Sequence, residues 1–461
     1  MRTAAVPTIP PSNDAPIRSY DDLFGIFRET EKPAAQHRIG AEMEKFGVDA
    51  VTGRPISYDG TRGVLHILEE LARRYGWEPE REKPGGPIIA LYRDGASVTL
   101  EPGSQLELSG APLGTIHEIC AELRAHLNEL KEISKDMNLR WLGLGFQPFA
   151  KRSDLSFVPK QRYAIMREYL PTRGSLALDM MLRTCTVQAN FDYASEKDAM
   201  RKLKVALRLA PLTTAMFANS PWYEGKRFGG VSFRGKVWLD VDPDRSGLVP
   251  GVWKNDAGYA DYIEWALDVP MFLIKRGGEP IANTGQTFRS FWKNGFSSHV
   301  ALLSDWQMHL NTLFPEVRLK KTLEVRGADA QTQAMACALP ALWTGILYDD
   351  RALAEADALT SDWTHAEVHQ SRSHVWEQGI RGPFRGGTLV KIAERVLEIA
   401  EGGLERRGIK TKDGKNDERV HLARLRELVT HGECPADRLL SQIKGDPRKE
   451  ILERADLTPT R

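Results

Sequence analysis

Apolar and polar side chains alternate with a period of two in four separate stretches, and each is expected to be a β-strand with one polar and one apolar face. In Ile39–Gly47, Glu42 and Glu44 project together while Ala41, Met43 and Lys45 face the other way. In Glu101–Ser109, Gln105, Glu107 and Ser109 share one side, and Leu106 and Leu108 the other. Thr186, Gln188, Asn190 and Asp192 alternate with Cys185, Val187, Ala189 and Phe191. In Glu316–Arg326, read as a single strand, Thr322, Glu324 and Arg326 oppose Lys321, Leu323 and Val325. Ile88–Tyr92 and Ala96–Leu100 flank Asp94-Gly95 as a hairpin would, and Trp141–Phe146 reads as a short apolar strand.

Elsewhere the period is helical. Ser19 is placed to cap a short helix ending at Arg28, and Thr61–Tyr75 carries Val64, Leu65, Leu68, Leu71 and Ala72 on one face. Thr115 and Glu118 form a capping box that opens a long helix whose apolar stripe includes Ile116, Cys120, Leu123, Leu127 and Leu130. Ser195 caps a helix running to about Ala210, and Asp305–Phe314 reads as another. Residues 222–250 suggest a two-stranded arm or a long loop. After Met335 helices are expected around Met335–Leu347, Thr364–Glu377, Leu389–Arg407 and Glu418–His431, with a last turn at Pro435–Ile443. The fold class is therefore α+β. A loose leader, 1–18, precedes a single catalytic unit, 19–461, strand-rich over 39–330 and helical over 331–461.

Composition narrows the partners. Lys and Arg total 63 against 62 Asp and Glu, a formal net charge of +1, so no nucleic-acid or membrane surface is expected. No apolar run approaches the ~20 residues of a membrane span. Residues 1–14 lack the apolar core of a signal peptide, and Cys120, Cys185, Cys337 and Cys434 show no C-x-x-C spacing. A cytoplasmic protein is the expectation. Gly143-Leu144-Gly145 does not open a glycine-rich helix start, and no G-x-x-x-x-G-K-[ST] occurs, so any ATP use must rely on another fold.

Pooling the polar faces collects Glu42, Glu44, Glu107 and Glu324, with Glu101 beside them and Gln188, Asn190, Arg183 and Arg326 as companions. If the four strands line one sheet, these groups converge. Hard oxygen ligands at that density suit Mg²⁺ or Mn²⁺, and such metals with an arginine are the common parts of phosphoryl-transfer sites. Two other readings fit the same pattern: solvated faces that never meet, or a two-carboxylate glycosidase. Arg162, Arg234 and Arg245 are plausible bidentate anchors for a carboxylate substrate, and equally ordinary surface charges.

Six blocks resemble the plant-type glutamate–cysteine ligases, a family shared by plants and some proteobacteria. They are Ile39–Gly47, Leu100–Pro112, Leu178–Asp192, Ala218–Lys226, Thr312–Asp329 and Cys337–Trp343. The resemblance implies a glutamine-synthetase-related fold whose antiparallel sheet forms an ATP- and metal-filled cleft. It implies ATP- and Mg-dependent ligation of the glutamate γ-carboxyl to the cysteine amine through a γ-glutamyl phosphate, the first step of glutathione synthesis. Glu42, Glu44, Glu101, Glu107, Gln188 and Glu324 would hold metal. Arg326, with Arg183 nearby, would serve catalysis, and Arg162, Arg234 and Arg245 would bind substrate. The small molecules glutamate, cysteine and ATP are the implied partners of a monomer or weak homodimer, with a possible disulfide between Cys120 and Cys337. Segment 281–285 lacks the cysteine of a second, plant-restricted pair. A related ligase using a different amine acceptor, and a non-catalytic protein that kept the fold, are the alternatives.

Overall fold

The computed structural model describes residues 15–459, so most of the expected leader lies outside the described residues. Its last residues are tied down: Ile17 N–H donates to Ala301 O at 3.0 Å, and Pro16 bridges Leu302. The period-two stretches assemble into one antiparallel sheet. In chain order its strands are β1 (Ile39–Asp49), β2 (Glu78–Arg81), β3 (Ile88–Arg93), β4 (Ala96–Leu100), β5 (Leu106–Ser109), β6 (Leu139–Leu142), β7 (Thr186–Phe191), β8 (Val317–Leu319) and β9 (Leu323–Asp329). Across the sheet the order is β8-β9-β7-β1-β5-β4-β3-β2, and β6 pairs with the far end of β1. The four strands read as half-polar (β9, β7, β1 and β5) are therefore consecutive neighbours. Asp94 and Gly95 both take positive φ, 50° and 86°, which is the geometry a two-residue hairpin turn between β3 and β4 requires.

The apolar face gathers Ala41, Met43, Leu106, Leu108, Val187, Ala189 and Val325, and helices cover it. These are α1 (Val64–Tyr75), α2 (Ile116–Ser134) and α3 (Ala338–Leu347). The α2 stripe follows the predicted spacing, with Ile116, Ile119, Cys120, Leu123, Leu127 and Leu130 buried, and Thr115 Oγ1 accepts the Glu118 N–H at 3.1 Å. One apolar cluster runs from Ile17 to Leu457, drawing on the strand-rich part and on the C-terminal helices.

Several segments depart from the expected elements. Glu316–Arg326 is not one strand but the β8–β9 hairpin, because the polar residues Lys320 and Lys321 form its turn. Only Leu106–Ser109 of the second acidic stretch is extended, since residues 101–105 close a turn with Ser104 at φ 69°. Helices Asp350–Thr360 and Pro447–Arg454 are additional, each opened by an aspartate cap, Asp349 and Asp446.

Against α3 packs α4 (Val390–Arg407), and the two helices meet at Gly345 and Gly403. A Cβ at Gly403 would overlap the Gly345 carbonyl oxygen, and one at Gly345 the Ala400 carbonyl oxygen. Gly403→Ala, which in an exposed helix would gain about 1 kcal/mol of propensity, is expected here to lose about 1–3 kcal/mol through overpacking. Denaturant unfolding checks the sign, and a stabilised variant would show that the helices part freely.

Candidate active site

Register decides which side chains meet. Glu42 lies opposite Gln188 on β7 and Ser109 on β5, Glu44 opposite Glu107, and Glu324 opposite Asn190. Directly opposed residues of an antiparallel pair project to the same side. Glu42, Glu44, Glu107, Gln188, Asn190 and Glu324 thus form one patch. Glu101, in the turn before β5, borders it closely enough to raise the carboxyl of Glu44. Gln105 is turned away from this patch. Its side chain is buried, accepting from Gly103 N–H at 2.8 Å and donating to Thr184 O at 3.0 Å, so it pins the turn.

Two electrostatic regimes divide the patch. Glu42 accepts from the Asn190 amide, Glu44 from the Thr186 N–H, and Glu107 from the Thr99 and Ser109 hydroxyls, all at 2.8 Å. These partners are neutral, and among the described residues no ion pair reaches Glu42, Glu44, Glu101 or Glu107 within salt-bridge distance. Burial pushes Glu42 up to about 7, with repulsion from Glu324 and Glu107 added. Burial, then Glu101 and Glu107, holds Glu44 well above the ordinary carboxylate range, and burial with Glu107 raises Glu101. Glu324 is the opposite case. Burial would raise it too, but Arg318, Lys320 and Arg326 together outweigh burial and hold it well below that range. Arg318 Nη2 lies 2.9 Å from both of its oxygens, Lys320 Nζ is 2.8 Å away, and Arg326 Nη1 is in direct contact.

Arg326 owes its position to a bulge. Between the pairs Val325–Ala189 and Ala328–Val187, Arg326 and Gly327 together oppose Gln188 alone. A bulge re-aims the side chain it carries, and Arg326 Nη1 reaches Gln188 Oε1 at 2.7 Å. Arg234, almost fully buried, satisfies the carbonyls that the bulge releases. Its Nη2 donates to Arg326 O at 2.8 Å and its Nη1 to Gly327 O at 3.3 Å. Beneath it Asp329 accepts from the Ser220 and Ser232 hydroxyls and the Asn219 N–H. A cleft of about 440 Å³ of empty space, partly open to solvent, borders these arginines and is lined also by Trp238, Phe314, Glu316 and Arg372.

The other predicted residues divide. Arg162 is exposed, its guanidinium 5.0 Å from the Tyr163 ring centre, and Glu101 and Glu107 act on it electrostatically. Two of the expected residues have internal partners. Arg183, expected beside the reacting groups, is buried in an ion pair with Asp179 (2.9 Å) and Glu224 (3.2 Å), flanked by Phe146 and Tyr223. Arg245, expected to bind substrate, is fully buried. It donates to Asp242 at 2.6 Å, Thr312 O at 3.2 Å and Pro270 O at 2.8 Å, and lies 3.8 Å over Phe272. Both arginines are spent on internal partners. Cys120 and Cys337 are joined in a disulfide on the apolar side of the sheet, and Cys185 and Cys434 are buried and free.

Sequence reading missed Arg318, Lys320, Glu316 and Arg372. A signal existed for the first two, because Arg318 and Lys320 share even-numbered parity with Glu324 and Arg326. Arg372 belongs to a distant helix and reaches Glu316 Oε1 at 2.8 Å only through the tertiary fold.

The family model described as "Glutamate-cysteine ligase family 2" matches residues 38–455. Among curated proteins, the chloroplastic glutamate–cysteine ligase of Brassica juncea is 44% identical over 444 residues, 95% of this chain and 84% of that one. The chloroplastic enzyme of Arabidopsis thaliana is also 44% identical, covering 95% and 83%. The crystal structure of glutamate–cysteine ligase from Francisella tularensis in complex with AMP superposes with a TM-score of 0.54 at 13% identity, over 91% of this chain and 87% of that chain, a likeness of fold. These relatives correct the cytoplasmic expectation. Those from plants are chloroplastic by name, and the composition and cysteine spacing that suggested cytoplasm do not separate the two compartments.

The acidic patch fixes a pH dependence. Groups raised in the folded state bind more protons there than in the unfolded chain, so stability falls as pH climbs from their ordinary value towards the folded one. Without added metal, stability is expected to fall between about 4.5 and 7, the window for Glu42. Glu42→Gln should flatten this slope in a melting-temperature series against pH, and an unchanged slope would clear Glu42. For Arg245→Met, breaking a buried pair should cost about 3–5 kcal/mol of stability. Chemical unfolding beside the glutamate KM separates the roles, since a KM change without lost stability would restore Arg245 to the substrate site.

Proposed function

The chain belongs to glutamate–cysteine ligase family 2, and from that membership we infer that it joins the γ-carboxyl of glutamate to the amine of cysteine at the expense of ATP. This is the first step of glutathione synthesis. The observation that carries the reading within the molecule is the group of buried carboxylates without cationic partners, beside a bulge-mounted arginine and a cleft lined by guanidinium groups.

The chemistry explains the need for such an arrangement. A carboxylate is a poor electrophile, and phosphorylating it turns one oxygen into a leaving group for attack by the amine. An anionic γ-carboxylate must approach an anionic triphosphate, so the site has to balance negative charge on both. The donor set fits hard cations: Glu42, Glu44, Glu101 and Glu107 offer oxygen ligands whose mutual repulsion a cation would relieve, and Gln188 adds a neutral oxygen. Mg²⁺ or Mn²⁺ held there would supply charge neutralisation along the phosphates. Glu324 would add an oxygen to that set only with Arg326 and Lys320 turned to the substrate, since Arg318 also lies on both of its oxygens.

Arg326 would carry the charge that develops on the transferred phosphoryl group, from the position the bulge gives it beside Gln188. The neighbouring cleft takes the amino acid. Arg234 and Arg372 suit its carboxylates, Glu316 suits an ammonium, and Trp238 and Phe314 form an apolar wall. Arg162, exposed near Glu101, is the second candidate for a glutamate carboxylate. The strand-rich and helical parts act as one catalytic unit in this reading, with the glutamine-synthetase-like cleft on the polar face of the sheet.

Full-length protein incubated with ATP and Mg²⁺ should release phosphate at its full rate only when glutamate and cysteine are both present. Glu44→Ala should lower turnover by at least about 10²-fold while the protein stays folded, the scale of losing a group that stabilises transition-state charge. Phosphate release indifferent to cysteine, or full release with a different amine in its place, would sink the acceptor assignment. A folded Glu44→Ala with near-normal turnover would sink the metal role.

A further inference from the structure

On the apolar side of the sheet, α2 and the turn before α3 meet the short helix Glu418–Leu422. Cys120, Cys337 and His421 offer ligand atoms that all lie within 4.8 Å of one another. We propose that Cys120 and Cys337, once reduced, form with His421 a binding site for a thiophilic d¹⁰ cation of the zinc and cadmium class.

Three features point to that chemistry. The first is the ligand type, since two thiolates and an imidazole form a soft donor set that Mg²⁺ disfavours and Zn²⁺ or Cd²⁺ accept. The second is spacing. His421 Nδ1 lies 3.4 Å from Cys120 Sγ, against the roughly 3.6 Å that separates sulfur and nitrogen ligands on a tetrahedral zinc with ordinary bond lengths. The sulfurs themselves need only part from bonding distance to about 3.8 Å, within reach of a cysteine rotamer change.

The third is the support behind the ligand. His421 Nε2 lies 2.9 Å from His117 Nδ1. A His421 that donates Nε2–H to His117 turns the lone pair of Nδ1 on the sulfur, which has no proton to offer while the disulfide is closed. Metal-bound histidines characteristically hold their orientation by such a bond from the other ring nitrogen. His421 and His117 are half-buried, which leaves a route for an ion, and residues of three separate elements would be clamped by one metal.

The balance is simple. A dithiol reductant donates two electrons and two protons to the Cys120–Cys337 disulfide, leaving two thiols and an oxidised dithiol. Binding of a divalent cation then releases both thiol protons to solvent, so the closed disulfide and the metal-bound state exclude each other.

The test uses the full chain, reduced with dithiothreitol under nitrogen, freed of reductant and titrated with Cd²⁺. Thiolate-to-cadmium charge transfer absorbs in the ultraviolet, and carboxylate-bound Cd²⁺ does not give that band, so the acidic patch is silent. The expected result is one thiolate-bound Cd²⁺ per chain, with no band from the unreduced protein. Cys120→Ser should lose the band although Cys185 and Cys434 remain, and His117→Ala should weaken affinity by about 10–100-fold. No band from the reduced protein, the same band in Cys120→Ser, or wild-type affinity in both His421→Ala and His117→Ala would each overturn the proposal.

Discussion

Antiparallel pairing forces side chains directly across from one another onto the same side, and the rest of this site depends on that constraint. Once β1 pairs with β5 and β7 in this register, Glu42 and Glu44 cannot avoid Glu107, nor can Glu324 avoid the same face through Asn190. A one-residue slip would carry Met43, Leu108 and Val187 onto the polar side and expose the core. The apolar half of each strand thus holds the repelling half in place. The energy that keeps the carboxylates together comes from burial of Leu106, Leu108, Val187 and Ala189 under the helices behind them.

The patch is uneven, and the unevenness has direction. Three cations collect at Glu324 on one side of it, while Glu42, Glu44, Glu101 and Glu107 keep only neutral partners on the other. The patch thus presents carboxylates without cationic partners at one edge and a cluster of positive charge around Glu324 at the other. Arg326 stands at the junction, with Gln188 and Glu324 both within reach of one nitrogen. Arg234 ties down the bulged backbone from which the Arg326 guanidinium extends.

Much of this was legible in the sequence because alternation is a local property. The four half-polar strands, the α2 stripe and the acidic face follow from spacing alone. What was not legible depends on partners far along the chain. Arg183 and Arg245 look like any other arginine in the sequence, and only the fold reveals Asp179 with Glu224 around one and Asp242 with Phe272 around the other. The single strand read at 316–326 failed for a local reason, since Lys320 and Lys321 belong to a turn. That error hid the pairing of Arg318 with Glu324, which a hairpin register makes inevitable.

Lys45 adds the last step. It belongs to the apolar set of β1, is fully buried, and donates to Met43 O at 3.1 Å and Leu106 O at 3.3 Å, with His126 Nε2 at 3.4 Å. Burial pulls its ammonium down to about 7, while Cys185, Glu107 and Glu44 work to keep it charged. A lysine would not survive on a hydrophobic face without such compensation. Its counter-charges are the glutamates on the opposite side of the same sheet, only a backbone thickness away. The acidic patch therefore acts through the sheet as well as on its own face: Glu107 and Glu44 favour the charged form of a lysine that burial in the core disfavours.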